Sequence, residues 1–187
     1  KLNSHDLLHP EQEPLTAQTA SVRDALRLGC VAIGYTIYPG TAERRLQYEQ
    51  LRELAEEAKS AGLAVVVWAY PRGDGIKKEA RTALDVVAYA VHIAAQLGAH
   101  IIKTKLPTAE LVLEESRKVY EEQHIPRDTA SERVQHVVQS AFNGRRIVIF
   151  SGGAKTDDAT ILDEVRAIRD GGGFGSIIGR NSFQRER

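Results

Sequence analysis

The 187-residue sequence is 42% hydrophobic and 27% charged, the make-up of one globular domain, or part of one, with enough apolar material for a core. Lys plus Arg balance Asp plus Glu at 25 each, and no basic stripe with interleaved aromatics appears, so a nucleic-acid partner is excluded. No run reaches the roughly 20 apolar residues of a membrane span and KLNSHDLLHP has no signal-peptide core, which sets the expectation of a cytoplasmic chain with no membrane contact.

Lys1 to Asn3 at the extreme start fits the tail of a strand, and a start at Lys in a chain without Met reads as cut or processed. A helix follows at about 20–28 and ends at Leu28-Gly29. Cys30, in LGCVAIG, has no partner for an internal disulfide, which suits a reducing compartment, and is read as a small core residue. The first full strand is Val31 to Tyr38 (VAIGYTIY), then a helix at 41–61 closed by Gly62, then a strand at Ala64 to Tyr70 (AVVVWAY). A helix at 79–97 closed by Gly98 leads to the strand His100 to Leu106 (HIIKTKL). Helices at 109–123 and 130–142 precede the strand Arg146 to Ser151 (RIVIFS); a helix at 157–170 precedes the last, Gly175 to Gly179 (GSIIG). Residues Thr129 to Glu132 and Thr156 to Asp158 supply N-cap chemistry for the helices that they open.

Apolar β-branched runs alternating with amphipathic helices are the pattern of a parallel sheet covered by helices, so the fold class is α/β. If Lys1 to Asn3 ends a third strand, the later five are the fourth to eighth strands of a (β/α)8 barrel, incomplete at its N-terminus. A doubly wound open sheet is the alternative that strand order in sequence alone leaves open. The domain reading is a single partial barrel over 1–187, with an extended two-helix crossover at 108–145. That crossover is joined through His124-Ile125-Pro126, and its charged exterior suits a solvated or a subunit-contacting pair.

Side chains alternate across a strand, so Ile101, Lys103 and Lys105 share one face of HIIKTKL while Ile102, Thr104 and Leu106 share the other. The apolar set suits the helix layer, which turns both ammonium groups into the barrel near its catalytic end. Burial and a neighbouring cation each lower a lysine pKa and free the amine to attack a ketone, with Lys105 placed as that neighbour. Emergence into solvent at the strand end is the competing reading. The same parity turns Val66, Trp68 and Tyr70 inward, where Tyr70 would reach the mouth as a proton donor and acceptor above Trp68; packing is the commoner fate of such an aromatic pair.

Phe150-Ser151-Gly152-Gly153-Ala154-Lys155 and Gly179-Arg180-Asn181-Ser182 follow the last two strands, where barrels of this kind often hold phosphate. Glycines admit backbone N–H groups, a helix N-terminus adds its dipole, and Arg180 offers a fork. His5, His9, His92, His100, His124 and His136 lack ligand spacing, so no metal is expected. GGGFG, Gly171 to Gly175, runs into a strand rather than opening a helix, unlike a dinucleotide loop, and no cofactor is expected.

Taken together, GYTIYPG (Gly34 to Gly40), VVVWAYPRG (Val65 to Gly73), LGAHIIKTKLP (Leu97 to Pro107), FSGGAK (Phe150 to Lys155) and GRNSFQR (Gly179 to Arg185) resemble the archaeal-type class I fructose-1,6-bisphosphate aldolases, which stand with deoxyribose-phosphate aldolase among Schiff-base barrels. The resemblance implies a TIM barrel and a homo-oligomer acting on a phosphorylated sugar in glycolysis and gluconeogenesis. It implies that Lys103 forms the Schiff base, Tyr70 transfers protons and Trp68 lines the site. It further implies that Ser151, Gly152, Gly153, Gly179 and Arg180 hold a substrate phosphate. Two departures stand out: the family's active-site aspartate lies on a first strand not present in this sequence, and the stretch from Thr108 to Arg145 is longer than one crossover helix needs. The rival readings are a related Schiff-base transaldolase or dideoxyheptulosonate synthase and a non-catalytic phosphosugar-binding module.

Overall fold

The computed structural model describes residues 1–152 and 156–183, apart from the side chains of Arg180 and Asn181. At its centre is a parallel sheet of β3 (Ala32–Ile37), β4 (Ala64–Ala69), β5 (Ile101–Lys105), β6 (Ile147–Ser151) and β7 (Gly175–Ile177), in that spatial order. Strand order in space follows strand order in sequence, without the reversal that defines a doubly wound sheet. The sheet is therefore wound in one sense, as an arc of a (β/α)8 barrel.

One face of the arc is dry. Ile33, Tyr35, Ile37, Val65, Val67, Ala69, Ile102, Val148 and Phe150 are all buried, and the residues between them in β4, β5 and β6 are half-buried or exposed. Helices α2 (Arg44–Ser60), α3 (Leu84–Gln96) and α6 (Asp158–Asp170) cover the dry face. Tyr35 shows the direction, its hydroxyl donating to Gln50 Oε1 of α2 at 2.8 Å. Apolar β-branched residues on alternate positions thus give each strand a helix-facing side and leave the other side free for polar groups.

Gly29, Gly62 and Gly98 close their helices at φ 69°, 77° and 102°, in the left-handed region where the absence of a Cβ matters. The first strands differ from expectation in a way that bears on the mouth. Leu2 N donates to Gly34 O at 2.7 Å, and the Asn3 carboxamide then donates to Thr36 O at 2.9 Å and accepts from Thr36 N at 2.8 Å. Lys1 to Asn3 therefore runs along the free edge of β3 in the parallel sense, with the Asn3 side chain acting as a peptide group. Its ladder partner, however, is a strand that the sequence did not suggest: β1 (Asn3–His5) pairs antiparallel with β2 (Thr16–Gln18).

Three further corrections have local causes. The helix expected at 79–97 splits into a 3-10 turn at Glu79–Thr82 and α3, because Ala83 is extended with ψ 142°. The helix expected at 109–123 begins only at Glu114, as α4 (Glu114–Glu122). The N–H groups of Val112 and Leu113 donate instead to the buried Asp85 carboxylate at 2.9 and 2.7 Å. Cys30 is exposed, not in the core; the chain is still closing α1 (Val22–Arg27) there, through Cys30 N to Ala25 O at 2.9 Å, and β3 starts only at Ala32.

Within the long crossover, α5 (Ala130–Ser140) packs against both α3 and α6, so it takes the place of the connecting helix in the outer layer. Its start is a capping box in which Thr129 and Glu132 each satisfy the other's backbone N–H. α4 lies outside that layer and buries Tyr120 alone.

Candidate active site

Parallel register sets the free face of the sheet in rows. Thr36 pairs with Trp68, Trp68 with Lys103 and Lys103 with Ile149; nearer the C-terminal ends Lys105 pairs with Ser151 and Ser151 with Ile177. Lys103 and Trp68 are thus neighbours across two strands, and the Lys103 Nζ stands 6.0 Å from the indole centroid, within cation–π reach. Gly34 makes room for that indole: a Cβ there would lie 2.6 Å from Trp68 Cζ3.

Burial lowers the Lys103 amine below its ordinary value of 10.5, because an ammonium stripped of water loses stabilisation that the neutral amine does not need. The charge of Lys105, exposed at the end of β5, is not among the causes. A π-face is a poor counterion compared with a carboxylate, so the arrangement holds an amine that gives up its proton more readily than a surface lysine while keeping it in place.

Tyr70 follows β4 directly, its N–H donating to Ile37 O at 3.1 Å. Burial pushes its phenol above the ordinary value, while the nearby Ser151 and the charge of Arg72 pull the other way. Ser151 Oγ donates to Thr104 O at 3.1 Å. Tyr70 at the end of β4 and Ser151 at the end of β6 thus stand on either side of the strand that carries Lys103. Gly152 N donates to Ile177 O at 3.1 Å, which draws the loops after β6 and β7 together at the same end of the sheet. Gly179 precedes the short α7 (Arg180–Phe183) and accepts from Ser182 N at 2.7 Å. Gly153 and the Arg180 side chain lie outside the described residues.

Two basic groups, one lower on the sheet and one at this end, were not singled out from the sequence. Lys1 lies beside Gly34, and partial burial lowers its side-chain amine. Arg72, two residues beyond Tyr70, lines a cavity of about 530 Å³ with His5, His9, Glu11, Tyr38 and Tyr70. The inward parity that selected Trp68 and Tyr70 continues to Arg72, and that signal could have found it. Among the described residues no group of three or more His, Cys, Asp or Glu side chains could hold a metal ion, and no helix is long and apolar enough to cross a membrane.

Comparison with known proteins settles the family, since the model of the DeoC/LacD family aldolases matches residues 1–185. The chain belongs to that family. It is 34% identical over 174 residues to the class 1 fructose-bisphosphate aldolase of Halobacterium salinarum, covering 93% of this chain and 57% of the relative. With the enzyme of that name from Thermoproteus tenax it is 33% identical over 186 residues, covering 99% and 61%. Among solved structures, an archaeal fructose-1,6-bisphosphate aldolase whose catalytic Lys is covalently bound to the carbinolamine intermediate of the substrate superposes with a TM-score of 0.79 at 32% identity. The match covers 98% of this chain and 63% of that one. The chain thus spans about three fifths of the length of these family members.

Proposed function

We propose that this chain carries the Schiff-base half of a class I, metal-independent aldolase that cleaves and forms fructose 1,6-bisphosphate. The observation that carries the reading is the Lys103 amine, held against Trp68 and lowered by burial, between the strands that end in Tyr70 and Ser151. The Lys103 amine adds to the ketose C2 carbonyl and, with loss of water, forms an iminium that serves as an electron sink. As the C4 hydroxyl gives its proton to a base, the C3–C4 bond breaks, glyceraldehyde 3-phosphate leaves, and its bonding electrons remain as an enamine.

Tyr70 then protonates the enamine carbon, and hydrolysis frees dihydroxyacetone phosphate and the amine. A phenol pushed up by burial stays protonated at neutral pH and so suits a donor. The C1 phosphate sits on the convergent loops after β6 and β7, at Ser151 to Gly153 and Gly179 to Arg180, with Lys105 at their edge. A cytoplasmic setting in glycolysis and gluconeogenesis, and assembly as a homo-oligomer, go with this reading as what the family resemblance implies.

Borohydride reduction in the presence of dihydroxyacetone phosphate tests it, because only an iminium is fixed as a stable adduct. The adduct should map to Lys103 and vanish in Lys103→Ala. An adduct on Lys105, or none at all, would overturn the assignment.

A further inference from the structure

Helix α4 is held to the body more lightly than α5, which buries Val134 and Val137 behind its capping box. It has nine residues, no side-chain cap at its N-terminus, and one buried side chain, Tyr120, which is 7% exposed. A helix of that length has little stability of its own, so its docking depends on what Tyr120 meets. The Tyr120 hydroxyl lies 2.5 Å from His136 Nε2 on α5, and the two rings meet edge-on with centroids 4.8 Å apart. With Nε2 free of a proton, the imidazole accepts from the phenol. The C-terminal connection of α4 is irregular: His124 takes φ 48°, and a cavity of about 470 Å³ lies there, lined by Tyr120, Glu121, His124, Ile125 and Arg127 among others.

The other end of α4 leads back to the Lys103 strand. Segment 106–113, between β5 and α4, is tied to the start of α3. Thr108 N donates to Thr82 O at 2.7 Å, Leu84 N donates to Glu110 O at 2.9 Å, and the N–H groups of Val112 and Leu113 donate to Asp85. Burial first, and then the charge of Asp85, push the Tyr120 phenol up to about 12, against the charge of Arg127. The phenol therefore stays a donor at any pH near neutrality, and the imidazole is the partner whose state changes.

Burial lowers the His136 imidazole below its ordinary value of 6.5, and no charged neighbour contributes. The charged groups on the elements around it are engaged elsewhere. On α3, Asp85 takes the Val112 and Leu113 N–H groups and His92 meets Ser140 O. On α4, Arg117 donates to Leu111 O and Lys118 pairs with Glu114. On α5, Glu132 takes Thr129 N, and Arg133 donates to Pro107 O, Arg127 O and Asp128 O. On α6, burial raises the Glu164 carboxyl, so acid removes that charge and favours packing, opposite in sign to His136. A proton on His136 Nε2 turns an acceptor into a donor and leaves a half-buried cation with no carboxylate partner among the described residues. The undocked, hydrated imidazole takes its proton at the ordinary value, so docking is fully favoured above about 6.5 and is lost as pH falls through it. We infer that α4 is a latch released by acid: neutral His136 pins it to α5 through Tyr120, and protonated His136 lets it swing out and slackens segment 106–113 behind the strand that carries Lys103. The device stands whatever reaction the mouth performs.

Amide hydrogen exchange of the whole chain, corrected for the intrinsic pH dependence of exchange, reads the latch directly. Between pH 7.5 and pH 5 the corrected exchange of residues 114–122 should rise severalfold, up to a ceiling of about thirtyfold set by a free imidazole at about 6.5. The amides of Val112 and Leu113 should follow, while those of Val134 and Val137 on α5 stay protected. His136→Gln has a carbonyl that accepts from the phenol and takes up no proton, so it should keep α4 equally protected at both pH values. A rise below twofold in the unsubstituted protein, unchanged Val112 and Leu113, or a His136→Gln variant with the full pH dependence overturns the proposal. Loss of protection in all helices together does so as well, since that is general acid unfolding. If His136→Gln does not fold, the unsubstituted protein decides: the pH midpoint of exchange in α4 must coincide with the titration of His136 followed by NMR, and midpoints more than about one pH unit apart overturn the proposal.

Discussion

Replacing Gly73 by alanine tests how the mouth is assembled. Gly73 adopts φ 127°, and a Cβ on it would lie 2.1 Å from Gly40 O and 2.5 Å from Gly40 C. The strained backbone costs about 1–3 kcal/mol for a residue with a side chain. The overlap is with main chain that cannot rotate aside, which adds about 1–3 kcal/mol, the scale of overpacking. Gly40 cannot retreat easily, since it sits at φ 100° with Arg72 O 2.3 Å from its own Cβ position. The sum, about 2–6 kcal/mol, is a large share of a typical domain stability of about 5–15 kcal/mol. Urea denaturation of Gly73→Ala beside Gly75→Ala measures it. Gly75 is two residues away, with open space around its Cβ position, and should change stability by no more than about 0.5 kcal/mol. Equal effects for the two substitutions, or a loss below about 0.5 kcal/mol for Gly73→Ala, would refute the reasoning. The 2.9 Å bond from Gly73 N to Gln12 O should open with it, so faster exchange of that amide is a second expected result.

Gly34→Ala should displace the Trp68 ring, which is half-exposed and can swing, at a cost of about 1 kcal/mol; because Trp68 is the only tryptophan, its fluorescence emission should shift, and an unshifted spectrum counts against the packing described. Tyr70→Phe keeps the ring and removes the hydroxyl, so turnover should fall about a hundredfold or more, whereas near-normal turnover would make Tyr70 a packing residue. Lys103→Met should raise stability at pH 7. The native amine has a pKa below 10.5, so between that lowered value and 10.5 the unfolded chain binds more protons and native stability climbs with pH. Below the window the buried ammonium carries its full desolvation cost, which methionine lacks. Denaturation midpoints at pH 7 and pH 10 should therefore differ less in the variant, and a destabilised variant at pH 7 would contradict the burial argument.

Much of the sheet was legible because two-residue parity survives packing: VVVWAY and HIIKTKL state which side chains face the helices, and Trp68 and Lys103 meet on the other side as that parity requires. The helix stops at Gly29, Gly62 and Gly98 were legible for an equally local reason, since each needs a positive φ that glycine accepts at little cost. The mouth was not. Glu13 accepts from Ala42 N and Asp74 N, 29 and 61 residues away, and Glu11 reaches Arg81 across 70; contacts of that range leave no trace in local pattern. The late start of α4 has the same origin, since Asp85, 27 residues before Val112, takes the N–H groups that a helix would have used. Cys30 was misplaced because apolar neighbours in sequence were taken as neighbours in space, whereas the turn after α1 holds the thiol outside.

That thiol gives the molecule a handle with a known orientation. It is the sole cysteine of the chain, and it lies exposed two residues before β3 begins, at the pole of the sheet opposite Tyr70 and Arg72. A maleimide-linked bead, slide or dye would therefore join the molecule at one defined point, with the cavity turned toward solution. Immobilised this way, the chain would present every copy in the same attitude, and ligand arrival at the mouth could be followed without the surface standing in its path.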